Sequence, residues 1–293
     1  MEKFAPLNLS PEEIIEYTAE WEGERTPDGR PRVPDSILER MRHVTITQAW
    51  GVLRGEGYNW QYAGGFQCTQ PGGVLVGRAL TAMYMPRRPF MRKVMEEKGA
   101  RLGCIGDQIS WPIDMLTKGD VYVADVYGKI DQGPIVGDNL STAIYANSGN
   151  GIVHDAAVRD LDGIQEIPNF VCFVRGWHPT YASPTIMLLG VNCPTRIGEA
   201  TVMPGDVVLG RQDGVIFVPP HLADKVCTTS EIIRLRDAFG KLRLREGKYT
   251  PGQIDARWTD EIEADFAQWM EAHMDELTVP KETIQEYLKN RTW

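Results

Sequence analysis

The chain has no apolar run near the roughly twenty residues that a bilayer-crossing helix needs, and its opening MEKFAPLNLSPEEI lacks a basic region followed by an apolar one. The expectation is a soluble cytoplasmic protein with no membrane partner. Cysteine is scarce and unpatterned: Cys68, Cys104, Cys172, Cys193 and Cys227 are odd in number and form no C-x-x-C pair. That spacing speaks against a disulfide framework and for buried thiols in a reducing compartment. The five histidines form no H-x-H or H-E-x-x-H pattern, so zinc is not expected and a metal here would be a hard ion held by oxygen, Mg²⁺ or Mn²⁺. Positive charge is also short. A formal net charge of -9 lacks the basic stripe that displaces counterions from phosphates, so no nucleic-acid partner is expected, while a small anion in one arginine-lined pocket stays compatible. No strand is followed by a glycine-rich turn with an acid about twenty residues on, which disfavours a nucleotide-type methyltransferase.

What is present is a chain of 293 residues with 42% hydrophobic residues, enough core for one large domain or two small ones. Three regions are expected: an N-terminal extension over 1–44, a core over 45–220 and a helical C-terminal extension over 221–293. In the first, Ser10-Pro11-Glu12-Glu13 has the form of a capping box with proline in the first turn. The turn-rich GERTPDGRPRVP after it is expected to wrap over a neighbour. In the core, strands are predicted at VLVGRALTAMYM (74–85), DVYVADVYG (120–128), GIVHDAAV (151–158), NFVCFVRG (169–176) and the pair within DVVLGRQDGVIFVP (206–219). Helices are predicted at ITQAWGVLRGEG, around Asp107 to Leu116, and from Asp138. In the tail, Trp258, Ile262, Phe266, Trp269, Met270, His273 and Leu277 fall at helical spacing, a packing face rather than a cofactor box.

The segment from Gly137 to Leu161 carries the chemistry. DNLSTAIYANSG reads as a helix from Asp138 with Gly149 at its C-cap, and GIVHDAAV as a buried strand. If the strand returns antiparallel to the helix, Arg159 and Asp160 emerge at the helix N-terminus, where unpaired N–H groups attract a carboxylate. Each residue also has a plainer role: Asp138 and Asp160 as helix N-caps, Arg159 as the surface partner of Asp162 or Asp155. His154 reads as a core histidine. Trp177 and His178 serve as packing or as a pocket mouth. The cluster Arg87 to Lys93 is expected as a solvated loop, with contact to a second anionic group of a substrate as the other reading.

These pieces, VLVGRALTAMY, KGDVYVADVYG, GDNLSTAIYANSGNGIVHDAAVRDLDGI, FVRGWHP and MPGDVVLGRQDGVIFVP, occur in the order of the RraA-like family, which the chain resembles from about Thr45 to Gly247. That group includes the 4-hydroxy-4-methyl-2-oxoglutarate aldolases and a regulator of an RNA-degrading enzyme. The resemblance implies an α/β fold of the β/β/α swivelling type, assembled as a homotrimer or a dimer of trimers with sites between subunits. It implies that Gly137 and the amides of Asp138, Asn139 and Leu140 hold the carboxylate of a 2-oxo acid. Arg159 is then the catalytic arginine and Asp160 the metal ligand, while the chemistry of a retro-aldol step makes Asp138, alone or through a metal-bound water, the expected base. An acid from the neighbouring subunit would be Asp237, with Glu231 as the other register. The activity implied is a metal-dependent lyase releasing pyruvate from a 4-hydroxy-2-oxo acid, with oxaloacetate decarboxylation as a companion; the alternative is a non-catalytic binding protein. A Schiff-base route is disfavoured, because no lysine lies between Lys129 and Lys225.

Overall fold

Alternation of apolar, β-branched segments with helical ones produces a layered α/β architecture, seen in a computed structural model that describes residues 3–277 and 279–290. The strands are β1 (Tyr62–Ala63), β2 (Gln67–Cys68), β3 (Leu75–Pro86), β4 (Asp120–Lys129), β5 (Ile152–Val158), β6 (Cys172–Val174), β7 (Gly176–Trp177), β8 (Ile186–Val191), β9 (Thr195–Ile197), β10 (Ala200–Val202), β11 (Val207–Arg211) and β12 (Gly214–Val218). One mixed sheet runs β1-β12-β11-β3-β4-β5-β6-β2, with β7 beside β5 and β8 beside β3. Its centre, β3 to β6, is parallel, and antiparallel strands flank it.

The central strands are buried on both faces, which explains why they read as continuous apolar runs rather than as alternation. Tyr122, Ala124 and Val126 of β4 face a cluster containing Trp111, Ile113, Ile144 and Ile164, so helices cover that side. Val121 and Val123 face Ile197, Ala200 and Val202, so the β9–β10 hairpin covers the other. Helix, sheet and hairpin are the three layers of the β/β/α plan.

The chain divides into two compact units, 1–226 and 227–293. In the second, Phe239 has ring centroids of Trp258, Phe266 and Trp269 at 5.3, 5.3 and 5.8 Å. The tail stripe is therefore a packing face, with Ile262 and Met270 buried in the same cluster.

Several expectations need correction. The Arg87 to Lys93 cluster is a loop only at Arg87 and Arg88, which are exposed: Pro89–Arg101 is a helix with proline in its first turn, and Arg92 is buried. The Arg92 guanidinium bonds Glu96 at 2.6 Å, Asp107 at 2.5 Å and the carbonyl of Ile186 at 2.8 Å, leaving it no capacity for a substrate anion. Around Asp107 to Leu116 only Trp111–Asp114 is helical. The strand expected over 169–176 begins at Cys172 and breaks at Arg175. Strands β8 to β10 were not expected, because their short apolar runs carry no periodicity.

The turn-rich GERTPDGRPRVP is tied to the sheet of the first unit. Arg30 is 1% exposed and bridges Asp28 at 2.9 Å and Asp120, at the start of β4, at 3.1 Å. An unpaired guanidinium could not be buried there, so this ion pair ties the N-terminal segment to the sheet.

Candidate active site

The helix Asp138–Ser148 starts where Gly137, in extended conformation, occupies the N-cap, and Asp138 complements the positive end of the dipole. It ends where Gly149 adopts the left-handed conformation (φ 70°) and donates to the Tyr145 carbonyl at 2.7 Å. Every residue of β5 is buried. Val158 ends the strand, and Arg159 N–H donates to the carbonyl of Val136 at 3.3 Å, which brings the strand exit beside the helix entry.

Gly137, Asp138, Arg159 and Asp160 thus meet. A methyl group added at Gly137 would collide with Asp160 Oδ2 and lie 3.0 Å from Arg159 Nε. Arg159 Nε is 3.4 Å from Asp160 Oδ2, and both side chains are close to half exposed. Asp138 Oδ1 accepts from its neighbour Asn139 N–H at 2.8 Å. A Cβ at Gly163 would lie 2.8 Å from Asp138 Cβ and 2.9 Å from its Oδ2, so the side chain leans on the turn after Asp160. Leu140 packs against the helix-side core. Gly137→Ala is expected to fold normally, since only side-chain ends must move, yet to displace Arg159 and Asp160. Thermal melting beside a turnover assay checks it; unchanged turnover would mean that the close approach is incidental.

The plainer roles are realised only in part. The N-cap of the Asp138 helix is Gly137. Asp160 does stand at the N-cap of the short helix Leu161–Gln165, but its side chain makes no capping bond and its backbone is left-handed (φ 57°, ψ 46°). That conformation costs about 1 kcal/mol for a residue with a Cβ. The carboxylate lies at Gly137 and Arg159, with no capping bond to compete for it. Asp155 is bonded to Arg175 rather than to Arg159. Gly163 was missed by sequence reasoning; its signal is a glycine within a helical first turn, where propensity disfavours it.

His154 takes a structural role. It is fully buried edge-to-face on Tyr122 at 4.7 Å, both ring nitrogens lack a partner among the described residues, and burial lowers its pKa to about 3. It is a core residue with no exposed surface. His178 Nε2 is 3.3 Å from Asp131, and its Nδ1 is 2.7 Å from Thr180 Oγ1; Trp177 is partly exposed beside it. Asp237 lies on the helix Ala223–Arg245, in the second unit, where it borders a groove with Arg236 and Lys241; Glu231, the other register, lies on the same helix and is buried.

Among the described residues no three His, Cys, Asp or Glu side chains gather closely enough to cage an ion. Mg²⁺ does not need a cage, because it keeps several waters and takes one or two carboxylates. Asp160, half exposed and committed to no backbone N–H, suits that mode.

A three-layer β/β/α sheet with this strand-to-helix junction defines a class of swivelling-domain proteins. The chain belongs to the RraA-like family: residues 47–217 match the family model described as Aldolase/RraA. It is 28% identical over 176 residues to the protein DlpA of Legionella pneumophila, a match covering 60% of this chain but only 26% of that one. It is 25% identical over 147 residues to the 4-hydroxy-4-methyl-2-oxoglutarate aldolase of Thermus thermophilus, covering 49% of this chain and 74% of that one. In structure it is similar to RraAS2 of Streptomyces coelicolor, an unusual member of the RNase ES inhibitor RraA protein family. The TM-score is 0.60 at 23% identity, over 73% of this chain and 98% of that one. Among the described residues no helix is long and apolar enough to cross a membrane.

Proposed function

We propose that this chain is a metal-dependent 2-oxo acid lyase that cleaves a 4-hydroxy-2-oxo acid to pyruvate and a carbonyl product, and decarboxylates oxaloacetate. The observation that carries the reading is the convergence of Arg159, Asp160 and the Gly137 backbone at the N-terminus of the Asp138–Ser148 helix. The amides of Asp138, Asn139 and Leu140 bind the C1 carboxylate there, which requires Asp138 to release the Asn139 N–H. Asp138 then takes the proton of the C4 hydroxyl. The C3–C4 bond breaks, its electron pair enters the enolate of pyruvate, and the same carboxyl returns a proton to C3. Arg159 places a fixed positive charge beside the developing oxyanion. Asp160 would hold Mg²⁺ or Mn²⁺, which supplies Lewis-acid neutralisation of that charge when bound.

The reading extends to assembly. A site whose arginine and aspartate are close to half exposed gains from a second wall, and Phe90 and Ile105 leave 78% and 82% of their surface in solvent. A homotrimer or dimer of trimers supplies such a wall, with Asp237 of an adjacent subunit as the added acid. The test is pyruvate release from oxaloacetate and 4-hydroxy-2-oxo acids, with Mg²⁺ or Mn²⁺ against EDTA. Turnover above that of free metal, abolished by chelation, supports the lyase; a folded protein with none is a binding member of the family.

A further inference from the structure

Away from that junction, the N-terminal segment and the core of the first unit enclose a cleft of about 230 Å³. Its level follows from register. Asp206, at its floor, precedes β11, and its carbonyl accepts from Ala79 N–H, level with Val121 at the start of β4. Arg159 and Asp160 follow the far end of β5, whose seven residues at about 3.3 Å each separate the two levels by roughly 20 Å. The cleft is therefore a second site.

Tyr17, Trp21 and Tyr58 line it together with Glu20, Asp206 and His221, and neither lysine nor arginine is among its lining residues. The donors of Tyr58, Trp21 and Gln61 are spent within the protein. Tyr58 Oη donates to Glu20 at 3.0 Å and Trp21 Nε1 to the Glu24 carbonyl at 2.8 Å. Gln61 Nε2 donates to the carbonyls of Thr201 and Phe217 at 3.2 and 3.1 Å. The imidazole of His221 turns Nδ1 towards Glu20 at 3.7 Å. What the cleft offers a ligand is acceptors: two carboxyl groups and the negative faces of three rings.

Asp206 is the telling member. It is 3% exposed and accepts one bond, from Met203 N–H at 2.8 Å. No ion pair of it occurs among the described residues, and burial raises its pKa to about 7. Burial, the bond to Glu20 and the charges of Glu20 and Asp206 together push the Tyr58 hydroxyl up to about 12. The Tyr58 shift registers the negative field of Glu20 and Asp206, whereas that of Asp206 reflects burial, and a cation seated beside it would favour its charged form.

We infer that this cleft binds a small organic cation, an ammonium compound seated against the rings of Trp21 and Tyr58 with Glu20 and Asp206 as its counter-charges. An anion is repelled by this lining. A neutral polyol would find few free donors and would leave the charge of Glu20 unanswered.

The experiment is calorimetric titration of the full chain with choline and, separately, with 3,3-dimethylbutan-1-ol, its neutral isostere. Choline is expected to saturate at one per chain and the isostere to bind about tenfold more weakly or not at all. Glu20→Gln, at a side chain 69% exposed and so harmless to folding, and Trp21→Leu should each weaken choline about tenfold. Tyr58→Phe keeps the ring and should leave binding within about threefold. The inference is overturned if folded wild type shows no saturable choline binding, if choline and the alcohol bind equally, or if Glu20→Gln has no effect.

Discussion

Replacing Arg159 by alanine is expected to lower metal-dependent pyruvate release by roughly 10²–10³-fold while leaving the thermal midpoint nearly unchanged. The two halves have separate causes. A fixed donor facing charge that develops only in the transition state is worth about 3–4 kcal/mol when removed. As a structural group Arg159 does little: its side chain is 42% exposed and its nearest carboxylate, Asp160, is 3.4 Å away and 44% exposed. An ion pair that open to water contributes at most about 1 kcal/mol to stability. Arg159→Lys should fall between the two, since it restores charge without the planar fork. The measurement is turnover on oxaloacetate with Mg²⁺, beside melting curves of the three proteins. If the alanine variant kept a tenth or more of wild-type activity, the oxyanion role would be lost to this residue.

Replacing Arg30 by methionine is expected to destabilise the first unit by about 3–5 kcal/mol, a deletion that strands charge in the interior. Asp120 is 1% exposed and Asp28 is largely covered. Burial alone would raise the pKa of Asp28, but Arg30 and the bonds from Thr26 and Asn192 outweigh it and hold the carboxyl below its ordinary value. The linkage has a definite sign. A depressed folded pKa contributes stability above the unfolded value of 3.8, and this is lost as pH falls through the lower folded value. Urea unfolding at neutral pH, followed in Arg30→Met and in the double variant Arg30→Met with Asp120→Asn, separates the effects. The double variant should regain part of the loss. It removes the stranded charge, and its amide oxygen can still accept the bonds from Thr117 that the Asp120 carboxylate accepts in wild type. A single-variant cost under about 1 kcal/mol would contradict the buried-pair account.

Much of the fold was legible locally. Ser10 and Thr45 both close capping boxes, with Glu13 and Gln48 three residues on, at helices the sequence predicts. Strands β3, β4, β5, β11 and β12 lie where their apolar runs place them. The helix from Asp138 and its Gly149 cap were legible for the same reason: residues within a few positions of one another impose these conformations. Helix Pro89–Arg101 was not, since its two arginines before Pro89 and its sparse apolar residues imitate a solvated loop. Its buried side is defined by Arg92, whose partners Asp107, Ser183 and Ile186 are remote in sequence.

The amino-acid sequence by itself determined the family, the layered α/β plan and the identity of the residues at the strand-to-helix junction, because spacing, capping and apolar pattern are written in neighbouring residues. Tertiary structure alone decided that Asp160 stands in a left-handed turn with its side chain free of any capping bond, that Gly137 leaves room for it, and that Arg30 is a buried anchor. It alone joined Trp21, Tyr58 and Asp206 around one cleft. Close approach between distant segments, and the burial that changes what a charge costs, exist only once the sheet has brought those segments together.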